Sequence, residues 1–212
     1  MSVRNKVISL YESFNFFFRL YLYFKIVILK VETYIQYLPK TGTIVDVGCG
    51  YGLVANYLSL ILPDSKVIGI DIDANRIKVA STTVGDRKNI LFVNADAVNW
   101  FVREKCSMMI MTDFLHHVSF DKQKIMLQRA YDNLQENGVL IISEVDASIK
   151  PAYKYWNSCL FDMVFYFLSA ESCFSKSSDL FILLRDLGFE ATFYFPRSYI
   201  FAEIVYVCRK KI

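Results

Sequence analysis

Val45-Asp46-Val47-Gly48-Cys49-Gly50-Tyr51-Gly52 is the stretch on which the fold of this chain turns. A short β-branched strand runs into three glycines set at every second position, and an apolar helix-forming run, Leu53-Val54-Ala55-Asn56, follows at once. Glycines at such a strand-to-helix junction let the backbone bend sharply and approach a ligand that any Cβ would push away. In open α/β sheets the ligand site lies outside the carboxyl ends of the strands. A glycine-rich turn occurs on more than one class of nucleotide-binding sheet, so the residues downstream must discriminate.

Outward from this turn, short β-branched runs alternate with longer amphipathic ones, the pattern of a parallel sheet with crossover helices. Strands are expected at 43–47, 66–70, 90–93, 107–112 and 139–144, and helices at 53–62, 74–83, near 97–103 and at 121–134, with Gly138 turning the chain into the fifth strand. The rhythm breaks after Lys150. Tyr153, Tyr155, Trp156, Phe161, Phe165, Tyr166 and Phe167 mark an aromatic helix inserted over 151–169. A helix at 177–187, ended by Gly188, precedes strands at 189–195 and 203–208, whose short connection permits an antiparallel hairpin but no crossover. Ahead of the turn, the apolar stretch Phe14 to Val31 carries Arg19, Lys25 and Lys30, which disfavours a signal peptide or a membrane span. One long helix ending before Pro39 is expected there.

The 212 residues suit one domain. Apolar residues make up 54% and aromatics 16%, above the usual ~45–50% apolar share, which calls for a greasy core or a greasy partner. A net charge of +3 with interspersed signs gives a weak case for nucleic acid. Five cysteines (Cys49, Cys106, Cys159, Cys173 and Cys208) without C-x-x-C spacing argue against a disulfide framework and against a metal site, and favour a reducing cytoplasm. The oligomeric state is not legible.

Acids recur at the following strand ends. Asp71, in Ile68-Gly69-Ile70-Asp71-Ile72-Asp73, lies about twenty residues beyond the turn, where a carboxylate can accept both hydroxyls of a ribose. Asn94-Ala95-Asp96-Ala97 offers a carboxylate after the third strand, and Thr112-Asp113-Phe114-Leu115-His116-His117 lines the end of the fourth. Asp73, one step past Asp71, is suited to cap the next helix.

Taken together, the D-x-G-x-G-x-G turn, the G-x-D of the second strand, the acid after the third, D-x-L-H-H after the fourth and the N-G-V-L-I-I strand resemble the class I S-adenosylmethionine-dependent methyltransferases. The resemblance runs in order from Ile35 to Leu187. It implies a Rossmann-like α/β fold with a seven-stranded, mostly parallel sheet and an antiparallel last strand. To this the chain adds an N-terminal helical cap (1–40), an aromatic helical insert (149–176) and a last helix with a hairpin (177–212) around a cofactor-binding core at 41–148. The implied cofactor is S-adenosyl-L-methionine. Gly48 and Gly50 would lie against its methionine part, Asp46 would steady the loop and the amino group, Asp71 would take the ribose, Asp96 with Ala97 would border adenine, and Cys49, Gly52 and Ile72 would be cofactor-binding as well. Asp113 is either close to the cofactor or structural.

His116 and His117, the only histidines, fall at the same mouth. Imidazole suits a general base at neutral pH, although such a pair can equally pack against the cofactor. Glu144 is a candidate to orient a substrate hydroxyl, or else a surface or capping acid. The aromatic stripes flanking the mouth favour a small hydrophobic acceptor, lipid-like or quinone-like, with peripheral contact to the inner face of a membrane. The alternatives are a nicotinamide-dependent oxidoreductase and a non-catalytic cofactor-binding protein at a membrane. Against the first, the Tyr-x-x-x-Lys spacing at Tyr21 to Lys25 precedes the glycine turn. An amine-methylating nucleic-acid enzyme would need an Asn/Asp-Pro-Pro-Tyr/Phe turn where Asp113-Phe114-Leu115-His116 stands.

Overall fold

The computed structural model describes residues 1–100, 105–146, 153, 177–196 and 203–211. Seven strands form: β1 (Gly42–Val47), β2 (Ser65–Asp71), β3 (Ile90–Asn94), β4 (Cys106–Thr112), β5 (Leu134–Val145), β6 (Phe189–Tyr194) and β7 (Glu203–Lys210). Their order in the sheet is β3-β2-β1-β4-β5-β7-β6. The expected mostly parallel sheet with a reversed last strand is what forms: β1 pairs parallel with β2 and β2 with β3, whereas β7 runs antiparallel to both β5 and β6. All seven residues of β4 are buried, the continuous apolar pattern of a strand covered on both faces.

The chain divides into two compact units, Met1–Ile110 and Met111–Ile212. In the first, the N-terminal stretch departs from the single helix expected. It forms α1 (Val3–Ser9), α2 (Phe16–Leu29) and a 3₁₀ helix at Val31–Tyr37. The breaks have local causes. Asn15 accepts the Phe18 amide through its side chain and so caps a new helix, while Lys30 turns left-handed at φ 44° and ends it. Arg4 then reaches Glu32 with two hydrogen bonds of 2.6 and 2.7 Å, tying α1 to the 3₁₀ helix. One face of α2 buries Leu22 and Ile26, while Phe16, Phe17, Leu20, Tyr23 and Phe24 stay exposed.

Two further helices complete this unit, α3 (Leu53–Ile61) and α4 (Ala74–Thr82). Asp73 caps α4 as expected, accepting the amides of Asn75 and Arg76. Phe92 of β3 fills the space above two glycines. A Cβ at Gly52 would come within 2.6 Å of its ring, and one at Gly69 within 2.7 Å. The helix expected near 97–103 is a hydrogen-bonded turn over 97–99, closed by the Asn99 amide on the Asp96 carbonyl, and 101–104 lie outside the described residues.

The second unit carries α5 (Phe120–Asn133) and α6 (Ser177–Asp186). Strand β5 starts four residues before Gly138, and the left-handed residue is Asn137 at φ 59°. Gly138 is therefore required by crowding rather than by turning, since a Cβ there would meet the Gln135 carbonyl at 2.8 Å. Lys210 donates to the carbonyls of Tyr131 and Leu134 at 2.8 and 2.9 Å, satisfying acceptors left over at the end of α5. The aromatic helix expected at 151–169 falls outside the described residues apart from Tyr153. No helix among the described residues is long and apolar enough to cross a membrane.

Candidate active site

Strands β1, β2 and β3 end side by side, so their register brings the glycine turn next to the first two acids. Asp46 pairs with Gly69, and Asp71 with Asn94. The Ile70 carbonyl accepts the amides of both Gly48 and Cys49 at 2.8 and 2.9 Å, which bends the chain off the sheet. Gly48, Gly50 and Gly52 are left-handed, at φ 71°, 53° and 85°, a region costly for residues with a Cβ. Asp71 fastens the turn from the neighbouring strand. Its Oδ2 accepts the Gly50 amide and its Oδ1 the Asp73 amide, both at 2.8 Å.

Asp46 is buried beneath the turn. Its Oδ2 accepts the Ala55 amide at 3.0 Å and so holds the first turn of α3, while its buried Oδ1 has no hydrogen-bond partner. Burial pushes this carboxyl up to about 7, the Ala55 amide opposing the rise and the charge of Asp71 adding to it. Cys49 is buried, like Cys106 and Cys208. Burial, and after it the charges of Asp46 and Asp71, raise its thiol well above the ordinary range, so it is no nucleophile at neutral pH. Asp96 is engaged locally: Oδ1 accepts the Val98 amide at 2.9 Å and Oδ2 the Asn99 side chain at 3.2 Å. Ala97 stands in the turn so formed.

These residues fit S-adenosylmethionine. A Cβ built on Gly50 meets nothing within 4 Å, so the space over the turn is open. Each Asp71 oxygen has taken one backbone donor, and a carboxylate accepts about four, which leaves capacity for a ribose diol. Ile72 beside it is 70% exposed, an apolar side chain available to cover a base or sugar. The orphaned Oδ1 of Asp46 is an acceptor still to be satisfied.

In the second unit, Asp113 is left-handed at φ 51°, a strained position for a residue with a side chain. Its amide is held by the Ser143 carbonyl at 2.8 Å. His116 is buried, with Nδ1 2.6 Å from Glu144 Oε2 and Nε2 3.8 Å from Asp113 Oδ1. Glu144 Oε1 accepts the amides of Phe114 and Leu115 at 2.9 and 2.6 Å. It is thus a buried acid that caps the 3₁₀ helix Leu115–His117 and grips its histidine, not a surface acid. His117 is half-buried and packs on His116 at 4.0 Å between ring centres. A cavity of about 10 Å³, room for a single water, is lined by His116, Gln123, Glu144 and Tyr206 among others. Among the described residues no three His, Cys, Asp or Glu side chains are grouped to hold a metal ion.

Residues 44–138 match the family model of a methyltransferase domain. The match takes in the glycine turn, Asp71, Asp96 and the histidine pair. Its curated relatives include a malonyl-[acyl-carrier protein] O-methyltransferase of Ilyobacter polytropus, 25% identical over 114 residues, which are 54% of this chain and 42% of that protein. A carboxy-S-adenosyl-L-methionine synthase of Helicobacter pylori is 29% identical over 117 residues, 55% of this chain and 47% of that protein. The chain spans a third to a half of the length of the curated relatives it matches. Among solved structures, an S-adenosylmethionine-dependent methyltransferase of Methanosarcina mazei superposes with a TM-score of 0.67 at 21% identity, covering 85% of this chain and 97% of that one. Magnesium protoporphyrin IX methyltransferase of Synechocystis, solved with S-adenosylhomocysteine, gives 0.66 at 16% identity over 93% of this chain and 88% of that one. The fold is therefore that of the class I S-adenosylmethionine-dependent methyltransferases.

Two things about the site escaped the sequence. The pairing of Glu144 with His116 was signalled only by an acid inside the apolar run Val139-Leu140-Ile141-Ile142-Ser143-Glu144-Val145. The polar cluster behind the turn, where Asn56 meets Tyr11, Thr83 and Arg87, was signalled by an asparagine amid the apolar residues of α3. The other Tyr-x-x-x-Lys spacing, Tyr206 to Lys210, lies along β7, where the tyrosine donates to the Ser177 carbonyl and the lysine to α5. Strand positions four apart stand about 13 Å from each other, too far for the close pair a dehydrogenase needs.

Proposed function

We propose that the chain is an S-adenosylmethionine-dependent methyltransferase acting on a small hydrophobic acceptor. The observation that carries the reading is the Asp71–Gly50 pairing, which fixes an open glycine turn beside a carboxylate with acceptor capacity to spare. When bound, the cofactor would supply a sulfonium methyl that the acceptor attacks in line, the S–CH₃ bond breaking to leave S-adenosylhomocysteine. The chain supplies orientation and a proton acceptor. Asp71 and Ile72 take the ribose, Gly48 and Gly50 leave room for the methionine part while Cys49 and Gly52 carry the turn around it, Asp46 Oδ1 is available to its amino group, and Asp96 with Ala97 borders the base. In the neutral tautomer that donates Nδ1–H to Glu144, His116 Nε2 carries a lone pair able to take up a proton. Glu144 holds that ring, and His117 packs against it.

The exposed aromatic face of α2 supports a hydrophobic acceptor presented at a lipid surface, in a reducing cytoplasmic setting. No acid occurs between Glu12 and Glu32, so nothing within α2 repels an anionic headgroup. The test is incubation of the protein with methyl-labelled cofactor and a cell extract, followed by mass spectrometry, alongside calorimetry with S-adenosylmethionine and with NAD. Label in a small organic-soluble product supports the reading. Binding of NAD alone, or label retained on a modified cofactor, would overturn it, and failure to sediment with anionic liposomes would remove the lipid surface.

A further inference from the structure

The glycine turn is also gripped from behind, by a segment that lies outside the sheet. Tyr51, between Gly50 and Gly52, gives its backbone carbonyl to the hydroxyl of Tyr11 at 2.7 Å. Tyr11 is completely buried, and burial raises its phenol well above the ordinary range, so it remains a hydrogen-bond donor at any physiological pH. Its hydroxyl accepts from Asn56 Nδ2 at 3.0 Å, and Asn56 is itself held by Thr83 and by Arg87. The Tyr51 ring is enclosed as well. Phe18 and Tyr21 of α2 meet it edge-on at 5.0 and 6.3 Å, and the Arg76 guanidinium lies 5.7 Å from its centre. Tyr11 sits in the link between α1 and α2, so the break in the N-terminal helix is what delivers it to the turn.

A turn with glycine at three alternate positions loses more conformational freedom on ordering than any other. If that ordering had to accompany ligand binding, affinity would fall by its cost, and ordering it beforehand removes the loss. We propose that Tyr11 is a positioning residue for the cofactor turn: through the Tyr51 carbonyl the N-terminal segment presets the turn in its binding shape. By linkage, a ligand seated on the turn stabilises the docked N-terminal segment to the same extent. The identity of that ligand rests on the methyltransferase reading; the grip on the turn does not.

The test compares Tyr11→Phe with Thr83→Val, which weakens the same buried network without touching the turn. Amide hydrogen exchange is measured on both without ligand, and S-adenosylmethionine affinity by calorimetry. Losing one buried hydrogen bond is worth about a tenfold change in affinity. Tyr11→Phe is expected to bind about tenfold more weakly and to exchange the Gly50 and Gly52 amides faster, while Thr83→Val lowers the melting temperature but leaves both readings at wild-type values. Unchanged exchange at the turn in Tyr11→Phe would overturn the proposal, as would equal effects of the two variants. If the wild type fails to bind S-adenosylmethionine, the functional reading falls, and the exchange data alone still decide whether Tyr11 holds the turn. Should Tyr11→Phe not fold, Phe18→Leu, which removes only the ring against Tyr51, is judged by the same exchange criterion.

Discussion

Glu144 Oε2 lies 2.6 Å from Nδ1 of His116, and both side chains are buried. In Glu144→Gln the side-chain oxygen can still accept the Phe114 and Leu115 amides, but its NH₂ then faces Nδ1 and forces the opposite tautomer. Nε2 becomes a donor and the base is lost. General-base catalysis contributes about 10²–10⁴-fold. Glu144→Gln is expected to fold, to bind S-adenosylmethionine as the wild type does, and to transfer label at least about 100-fold more slowly. Wild-type turnover in this variant would remove His116 from the chemistry.

Asp71→Asn tests the pin on the turn. An amide can offer its oxygen to only one of the two backbone N–H groups that the carboxylate now satisfies, and its NH₂ is left opposing the other. Loss of a part-buried charge-assisted hydrogen bond costs roughly 1–3 kcal/mol. Calorimetry should show at least about 100-fold weaker cofactor binding, because the ribose acceptor is lost together with the turn's restraint. A dissociation constant within threefold of wild type would show that the carboxylate does not face the ligand.

Two glycines of one turn are expected to respond differently. At Gly50 the space is open, so Gly50→Arg carries only the left-handed strain of about 1–2 kcal/mol, yet its side chain fills the ligand's place and binding should vanish. At Gly52 a Cβ meets the Phe92 ring at 2.6 Å, so Gly52→Ala adds overpacking of roughly 1–3 kcal/mol to that strain. Thermal melts should rank Gly52→Ala below Gly50→Arg in stability. The reverse ranking would mean that the open space lies elsewhere.

Asp46 makes a prediction in pH. Its carboxyl moves from an ordinary 3.8 to about 7 on folding because it is buried, so between those values the folded state holds a proton that the unfolded state has released. The stabilisation from the protonated acid is complete below pH 3.8 and is lost as pH rises to about 7, after which it is flat. Asp46→Asn cannot ionise. Urea unfolding from pH 4 to 8 should therefore show the variant gaining on the wild type as pH rises, by on the order of 4 kcal/mol across the window. A difference that stays constant with pH would place the titration elsewhere.

Much of this was legible in the chain. The glycine turn, the alternation of strands with α3, α4, α5 and α6, the terminal hairpin and the Asp73 cap depend on residues close in sequence, where propensity and capping act. The N-terminal stretch was not, because one asparagine and one left-handed lysine outweigh a long helical pattern only once Tyr11 and Arg4 have partners forty and twenty-eight residues away. Glu144 shows the same limit. Its position at a strand end could be read, but whether it faces water or a histidine depends on which loop the sheet sets beside it. Gly138 misled in a different way, since crowding and turning both select glycine.

Phe92 occupies room that Gly52 and Gly69 vacate, one on the cofactor turn and the other on the strand beside it. The three positions form a single quantity of space that can be divided in more than one way. A methyl group added to Gly69, which is not left-handed, should be harmful alone and relieved in part once Phe92 is trimmed to alanine, the Cys49 sulfur at 2.9 Å still pressing on it. Gly69 and Phe92 can thus trade volume with each other, whereas Gly52 is held to glycine by its left-handed backbone as well.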